Sequence, residues 1–436
     1  MRFPRSGRVT RSSTTVCSRF AAACAVLLTM GVSARARAEA PLDEATATRK
    51  VCTAGPAAEI ARAERLAGEA AVVAAGVLPN PEASVQHQRA LVGPAERETI
   101  LGLSVPLGIG GRRFLLQDAA AARRDEAQAT ARATLFETAL AFREAYAAAV
   151  LDEARASALA EQQSALETLA VTLGQLAQRG ESAGYALKRQ EMQASVHRRL
   201  LASMKARAAA SRAVLAAWLG EEATLPPRAL LDLAGGTRGK EAPVATHPRV
   251  EGFEAAARAS GIEARAAHRT WIPDITLFAG YRTITGGTEQ PAHGFSASLT
   301  IPLTMFDHGQ GEAARAEASR ACALASAEAL RRENAARLKA STRSLEVLEA
   351  SVADLDRAAS EAASLSAGAV KLYAAGEATL TDVLDAFRAA EEARLARIDL
   401  AEEIVRARLA RMRAAGTQFD AALDQACGGP AKGAKE

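Results

Sequence analysis

The sequence predicts a mainly α-helical protein with a small β part, built from long antiparallel helical hairpins and four short strands. Hydrophobic residues make up 49% of the chain but aromatic residues only 4%, a composition typical of long helices packed through narrow interfaces. Two stretches of 67 residues, 112–178 and 309–375, contain no proline. At 1.5 Å per residue each could form a helix about 100 Å long.

The chain also contains an internal repeat, which sets its domain organisation. Three pairs of positions share an offset of 196 residues: Pro106 with Pro302, Gly180 with Gly376, and Gly220 with Gly416. We divide the chain into a signal peptide (1–38), an N-terminal segment (39–56), a first repeat (57–225), a Pro/Gly-rich connector (226–246), a second repeat (247–420) and a flexible C-terminal tail (421–436).

The first 38 residues have the pattern of a secretory signal: seven arginines and no acid, an apolar run at 20–32, and a small-x-small site at 36–38. A membrane anchor is the weaker interpretation, because 13 residues cannot cross roughly 30 Å of hydrocarbon. A lipoprotein would use Cys24, which lacks a leucine three positions before it. Without this segment 47 basic residues face 50 acidic ones, which gives no support to nucleic-acid binding.

Each repeat begins with a short helical run, 57–75 or 250–269, which Pro79 or Pro273 ends. Two strands then follow. In the second repeat apolar Phe295, Ala297, Leu299, Ile301 and Leu303 alternate with Ser296, Ser298 and Thr300, after a less regular strand at 275–282. In the first repeat Leu101, Leu103 and Val105 alternate with small residues, and 84–91 is a strand by analogy only.

A helical hairpin follows the strands of each repeat. Leu338, Leu345 and Val352 are spaced by seven, and Ile398, Val405 and Met412 repeat this spacing after the turn. The predicted turns are 179–184 and 375–379.

Few side chains suggest chemistry. The histidines are dispersed, and the run 108–111 lacks the third glycine of a dinucleotide loop. We therefore expect no enzyme, no metal site and no cofactor. Cys52, Cys322 and Cys427 remain after signal removal; Cys52 and Cys427 could form a disulfide in an oxidising compartment, and two free thiols are equally compatible with the sequence.

Four strands per chain leave two interpretations open. The hairpins could be soluble and cap the helices. Alternatively several chains could build one barrel, since open sheet edges are not tolerated in lipid. Three chains would supply twelve strands around a lumen, and the small polar residues of the second repeat would suit a water-filled interior.

The order of short motifs resembles the outer membrane efflux protein (TolC) family over nearly the whole mature chain. The motifs are Leu78-Pro79-Asn80-Pro81, Val105-Pro106-Leu107 with Gly110-Gly111-Arg112, Ile301-Pro302-Leu303 with Phe306-Asp307 and Gly309-Gln310-Gly311, and the run from Tyr373 through Gly376 and Asp382 to Asp385. Two of them look closest to members that serve heavy-metal or resistance-nodulation-division pumps.

The resemblance implies a homotrimer with a 12-stranded β-barrel in the outer membrane of a Gram-negative envelope and a trimeric α-barrel of twelve helices in the periplasm. It implies export of small molecules or metal ions together with a periplasmic adaptor (a membrane fusion protein) and an inner-membrane pump. We expect the adaptor to dock on the two hairpin tips, through Gly180, Glu181, Ser182, Gly376 and Glu377. A periplasmic coiled-coil scaffold or efflux adaptor without a barrel is the alternative function.

The family's channel constriction matches Asp382, Asp385 and Tyr373. In a trimer the two aspartates would form a ring of six carboxylates, some with raised pKa values. Ordinary solvated acids at a helix start are the alternative, because a helix N-terminus favours acidic side chains. The chain departs from the family prototype at Ala378, where the prototype has arginine, and at Ala186, where it has aspartate.

Overall fold

The fold is read from a computed structural model, which describes residues 43–89, 96–178, 184–221, 230–234, 246–286 and 290–428. The helices in these ranges are α1 (Glu44–Ala54), α2 (Pro56–Gly76), α3 (Arg112–Gln178), α4 (Gly184–Leu219), α5 (Pro248–His268), α6 (Gln310–Ala374), α7 (Leu380–Ala415) and α8 (Ala421–Ala426). The strands are β1 (Glu82–Arg89), β2 (Arg97–Leu107), β3 (Ile275–Thr285) and β4 (Ala292–Thr300).

Except at the starts of α3 and α6, the long helices follow the internal repeat to the residue. The end of α3 and both ends of α4 lie 196 positions before the end of α6 and the ends of α7. Nothing in 112–178 interrupts the backbone hydrogen bonds, since the stretch lacks proline. Each long helix therefore continues until its hairpin turn.

The four long helices pack side by side in the order α4, α3, α7, α6. Leu345 of α6 and Ile398, Val405 and Met412 of α7 are buried, so the seven-residue spacing marks the packed faces. Near the strands, α2 packs on α3, and α5 packs between α3 and α6. Alanines form most of the buried face of α5, which lets these helices approach closely.

The strands form one antiparallel sheet in the order β1-β2-β3-β4. Val85, Leu101, Tyr281 and Phe295 stand in one row across it. The rows at Leu103–Ala279–Ala297 and Val105–Leu277 continue this apolar face. Because side chains alternate between faces, Ser84, Ser104, Ser296 and Ser298 lie on the opposite face. Strand β4 ends at Thr300, so Ile301 and Leu303, expected to continue it, lie beyond the strand.

Phe278 is the aromatic exception on the polar face, and its glycine neighbours explain it. A Cβ atom at Gly102 would lie 2.3 Å from two ring carbons of Phe278, and one at Gly280 would lie 2.9 Å from its Cζ. The ring therefore occupies the space that the two glycines leave.

The two ends of the described chain are covalently linked. A disulfide joins Cys52 of α1 to Cys427, whose Cα atoms are 5.1 Å apart, and both cysteines are buried. Beside them Nε of Arg143 lies 2.7 Å from Oε1 of Glu44, with both side chains buried. The prediction of a flexible C-terminal tail at 421–436 is therefore wrong for residues 421–428. This part contains α8, and the disulfide at Cys427 links it to α1. The N-terminal segment likewise contains α1.

Candidate functional site

The candidate site begins at the turn between α6 and α7, which the sequence analysis places at 375–379. Gly376 adopts a left-handed conformation with φ of 77°. Its N–H donates to the carbonyl of Tyr373 at 3.0 Å, and the N–H of Glu377 donates to the carbonyl of Leu372 at 2.9 Å. This pair of hydrogen bonds is a Schellman motif, which ends α6 and explains the need for glycine.

Asp382 forms a capping box with Thr379 at the start of α7. Its Oδ2 accepts hydrogen bonds from the backbone N–H of Thr379 at 2.8 Å and from the Thr379 hydroxyl at 2.6 Å. In return the N–H of Asp382 donates to the Thr379 hydroxyl oxygen at 3.3 Å. The cap fixes the carboxylate at the first turn of the helix.

These hydrogen bonds determine the direction of the Asp382 pKa. The Thr379 hydroxyl and then its backbone N–H stabilise the carboxylate, and together they lower the pKa of Asp382. From the sequence we expect raised pKa values for some ring carboxyls. For Asp382 within one chain the direction is the opposite, because hydrogen bonding to the charged form outweighs desolvation at this exposed position.

Asp385 lies one turn further along α7, on the same side of the helix as Asp382. Its Oδ1 is 3.2 Å from Nη1 of Arg388, and both side chains are more than half exposed. A surface ion pair of this kind contributes little stability. Its main consequence is electrostatic, since Arg388 places a positive charge beside the acidic pair.

Tyr373, the third predicted constriction residue, is partly buried. It packs against an apolar cluster below the turn, which contains Leu166, Leu169, Leu173, Ala194, Val383, Leu384 and Phe387. Tyr373 therefore borders the packed core of the tip, whereas Asp382 and Asp385 are exposed. The structure brings the three residues to one end of the α6–α7 hairpin but does not place them on one surface.

One contact at the tip joins the two hairpins and is not predicted by the sequence. Nη1 of Arg189, on α4, donates to the hydroxyl oxygen of Thr381 at 3.4 Å. An arginine thus reaches the start of α7 from the other hairpin, although position 378 is an alanine. Ala186, at the position where the family prototype has aspartate, packs against the same apolar cluster as Tyr373. This position therefore supplies no acid at the tip. Nothing in the local sequence around Arg189 indicates this contact, because it joins positions 192 residues apart.

The other tip lies outside the described residues. Gly180, Glu181 and Ser182 fall between α3 and α4 in the range 179–183. Their expected role in adaptor docking therefore stays a prediction from the sequence.

The apolar face of the sheet is the second candidate surface. The side chain of Phe295 is 91% exposed, and Val85, Leu101, Leu277 and Leu299 are also exposed. Tyr281 stacks on His293 and makes an edge contact with Phe295. An exposed apolar patch this continuous marks a surface that meets a membrane or another protein.

Within the described residues, no group of three or more His, Cys, Asp or Glu side chains could hold a metal ion. None of the helices in these ranges has a segment long and apolar enough to cross a membrane.

No protein-family model and no curated protein matches the sequence. The fold, in contrast, matches solved structures of outer-membrane channels. The outer membrane protein VceC from Vibrio cholerae superposes with a TM-score of 0.68 and 16% identity, over 86% of this chain and 97% of that one. The CmeC outer membrane channel of Campylobacter jejuni superposes with a TM-score of 0.69 and 12% identity, over 86% of this chain and 88% of that one. The open state of the Neisseria gonorrhoeae MtrE outer membrane channel superposes with a TM-score of 0.68 and 15% identity, over 87% of this chain and 90% of that one.

These similarities extend over most of every chain compared, so the chain has the fold of these outer-membrane proteins. The predicted fold class, long helical hairpins with a small four-stranded part, is confirmed.

Proposed function

We propose that this chain forms the outer-membrane exit duct of a tripartite export system, with its sheet in the membrane and its long helices in the periplasm. The proposal rests on one observation: both the sheet and the layer of long helices have unpaired edges in a single chain. β1 and β4 each pair with a single strand, and α4 and α6 stand at the outer positions of the helical layer. Further copies of the chain would pair the open edges of the sheet and of the helical layer at the same time.

The number of copies follows from the strands. An open sheet edge in lipid leaves backbone groups unpaired at a cost of several kcal/mol each. Two chains would supply eight strands, which enclose no open channel, whereas three supply twelve. We therefore favour a homotrimer, with an identical head-to-tail contact repeated three times around a ring.

The two faces of the sheet suit this arrangement. The exposed apolar face, with Phe295 and Leu299, would meet lipid. The opposite face, with Ser84, Ser104, Ser296 and Ser298, would line an aqueous lumen. The neighbouring structures are described as outer-membrane channels, which supports the same orientation for this chain.

The far ends of the helices would meet the other two components. The turn at Gly376 and Glu377 is exposed, and the sequence places Gly180, Glu181 and Ser182 at the matching tip of the first repeat. Short turns with small residues allow a helical hairpin of a periplasmic adaptor to approach closely, and the adaptor would link the duct to an inner-membrane pump. Asp382 and Asp385 would then ring the entrance, with Tyr373 packed behind them.

Membrane fractionation with electrophoresis tests this function. The native protein should be recovered with the outer membrane, migrate as a trimer before heating and as a monomer after it, and form ion-conducting channels in planar bilayers. Recovery as a soluble periplasmic monomer without conductance would overturn the duct and favour the coiled-coil scaffold instead.

A further inference from the structure

Two arginines lie at the end of the apolar face that is farthest from the long helices. Arg89 is the last residue of β1 and Arg97 the first residue of β2, and they are directly opposite each other in the strand pair. Because side chains alternate between faces, Arg89 shares the face of Val85. Arg97 shares the face of Leu101 for the same reason. The apolar face therefore ends in two adjacent positive charges, both exposed.

Neither arginine is bonded to an acid among the described residues. The nearby Glu98 lies on the opposite face, where its Oε1 is 2.7 Å from Nε of Arg282. The connection 90–95 contains no Asp or Glu, and Glu289 of the other connection lies outside the described residues. Like charges directly opposite each other destabilise a strand pair, so an anion from outside the chain would stabilise this one.

Closing the proposed barrel would not supply that anion. The strand beside β1 would be β4 of another copy, and Ala292–Thr300 contains no Asp or Glu. Strand β3, which pairs with β2, contains none either. Apart from His87 and His293, the other side chains on the apolar face of the described strands are uncharged. The two positive charges would therefore remain on this face in the assembled duct.

The height of the apolar face places the arginines at the level of lipid headgroups. Leu107, where β2 ends near α3, is ten residues from Arg97, about 33 Å along the strand. A strand tilt of about 40° reduces this to about 25 Å, the height of the apolar band of an outer-membrane barrel. Tyr281, an aromatic residue typical of a membrane boundary, pairs with Leu101 and stacks on His293. Since the long helices would extend into the periplasm, the arginine end belongs to the outer leaflet.

We propose that Arg89 and Arg97 together bind a phosphate group of a lipid in the outer leaflet. This inference rests on the proposed function, because it requires the apolar face to lie in the outer membrane. A guanidinium presents a planar fork of N–H donors that matches phosphate oxygens. A phosphate monoester carries a charge of about −1.5 to −2 at pH 7, so one such group between the two guanidinium groups would neutralise both.

The surroundings favour a lipid over a free phosphate ion. Attraction between an ion and two exposed arginines is weakened by water and salt. A lipid adds a second contribution, because its acyl chains would cover apolar side chains that are exposed on the same face, including Val85 and Leu101. The kind of lipid that fits is one with a phosphate monoester on its headgroup, such as a phosphorylated glycolipid.

A comparison of two lipids tests the proposal on the native oligomer. Protein extracted from membranes in a neutral detergent and washed free of lipid is titrated with lipid A that carries both phosphates, or with lipid A from which both have been removed. The phosphorylated form should bind at least about tenfold more tightly, since charge-assisted hydrogen bonds are lost without it. Equal dissociation constants would overturn the proposal. Inorganic phosphate at the same concentration should not compete; competition would assign the arginines to the free ion instead.

Substitution of the arginines locates the phosphate. Arg89→Gln with Arg97→Gln should abolish the preference for the phosphorylated lipid, and each single substitution should reduce it. Arg282→Gln is the matched control, because it removes a strand arginine from the opposite face and should leave the preference unchanged. A double variant with the wild-type preference, or a control that loses it equally, would contradict the assignment.

The outcome is separable from that of the proposed function. A protein that conducts in bilayers but binds both lipids equally refutes the lipid contact and leaves the duct intact. Recovery as a soluble monomer without conductance refutes the duct itself, and with it the membrane position of the two arginines.

Discussion

The Asp382 carboxylate is bound by Thr379 through two hydrogen bonds, one from its backbone N–H and one from its hydroxyl. This aspartate therefore has two roles: it caps the N-terminus of α7, and it contributes negative charge at the tip. A useful substitution must change one role and keep the other. Replacing it by alanine would remove both, and a change in transport would then have no single explanation.

The first prediction uses asparagine for this reason. Asp382→Asn with Asp385→Asn removes two charges per chain, yet the amide introduced at position 382 would still offer a side-chain oxygen to Thr379. We expect a marked loss of cation selectivity in planar bilayers and loss of block by trivalent cations, since a ring of carboxylates concentrates cations. Glu69→Gln, on the exposed surface of α2, is the control and should change neither. Unaltered selectivity in the double variant would show that both aspartates are ordinary solvated acids at a helix start.

The pKa of Asp382 adds a pH dependence to this prediction. Because hydrogen bonds from Thr379 lower that pKa, the Asp382 carboxylate stays ionised to lower pH than an unperturbed aspartate, which becomes half protonated at about pH 4. Thr379→Val removes the hydroxyl donor and should make selectivity decline at higher pH than in the wild type.

The second prediction concerns bulk at the exposed tip. Ala375 has an ordinary right-handed conformation, so Ala375→Trp adds a large side chain without disturbing the backbone. It should abolish export while leaving the trimer intact, if an adaptor docks here. Ser360→Trp, about four turns away on α6, should export normally.

Gly376 needs a different substitution, because its positive φ disfavours other residues even though a Cβ there would meet no atom within 4 Å. Gly376→Asn should be tolerated, since asparagine adopts the left-handed conformation more readily than most residues. Normal export by Ala375→Trp would show that this tip is not the contact.

The long helices could be predicted from the sequence almost to the residue, whereas the short helices α1 and α8 near the chain ends could not, although the sequence offered Cys52 and Cys427 as one possible disulfide. Arg112 to Gln178 lacks proline, so the local signal alone sets α3. In contrast α1 and α8 are short, and their stability comes from distant contacts: Cys52 with Cys427, and Glu44 with Arg143. Short helices depend on such packing rather than on propensity.

The candidate site shows a similar limit. The spacing of Thr379 and Asp382 fits a capping box, S/T-x-x-D/E in outline, and could have indicated the cap. The contact between Arg189 and Thr381 could not be predicted, because no local pattern relates positions in different hairpins.

The third prediction tests the covalent link between the chain ends. Cys52→Ser with Cys427→Ser should lower the free energy of unfolding by about 2–4 kcal/mol, the usual contribution of a native disulfide. Thermal melting and protease resistance of the N-terminal helix would measure this. Cys322→Ser should have no effect, since that thiol is free and exposed. Because both bonded cysteines are buried, reductant should act only once the protein is partly unfolded.

The fourth prediction concerns His247, which caps α5. Its Nδ1 accepts a hydrogen bond from the N–H of Arg249 at 3.1 Å, and its Nε2 lies 3.2 Å from the carbonyl oxygen of Arg413. The ring is buried and contacts Phe136 edge-on. This arrangement requires a neutral imidazole that carries its proton on Nε2, because a proton on Nδ1 would point at the Arg249 N–H.

Burial is the main cause that lowers the pKa of His247. The histidine of the unfolded chain, with a pKa near 6.5, therefore binds a proton more readily than that of the folded chain. The resulting stability is fully present above about pH 6.5 and is lost as the pH falls through the folded-state pKa. His247→Asn keeps a capping oxygen but does not titrate in this range. It should flatten the decline of melting temperature between about pH 6.5 and 5, whatever its effect at neutral pH. His268→Asn, at an exposed position next to Glu317, should leave the decline unchanged; an equal slope in His247→Asn and wild type would show that His247 does not cause it.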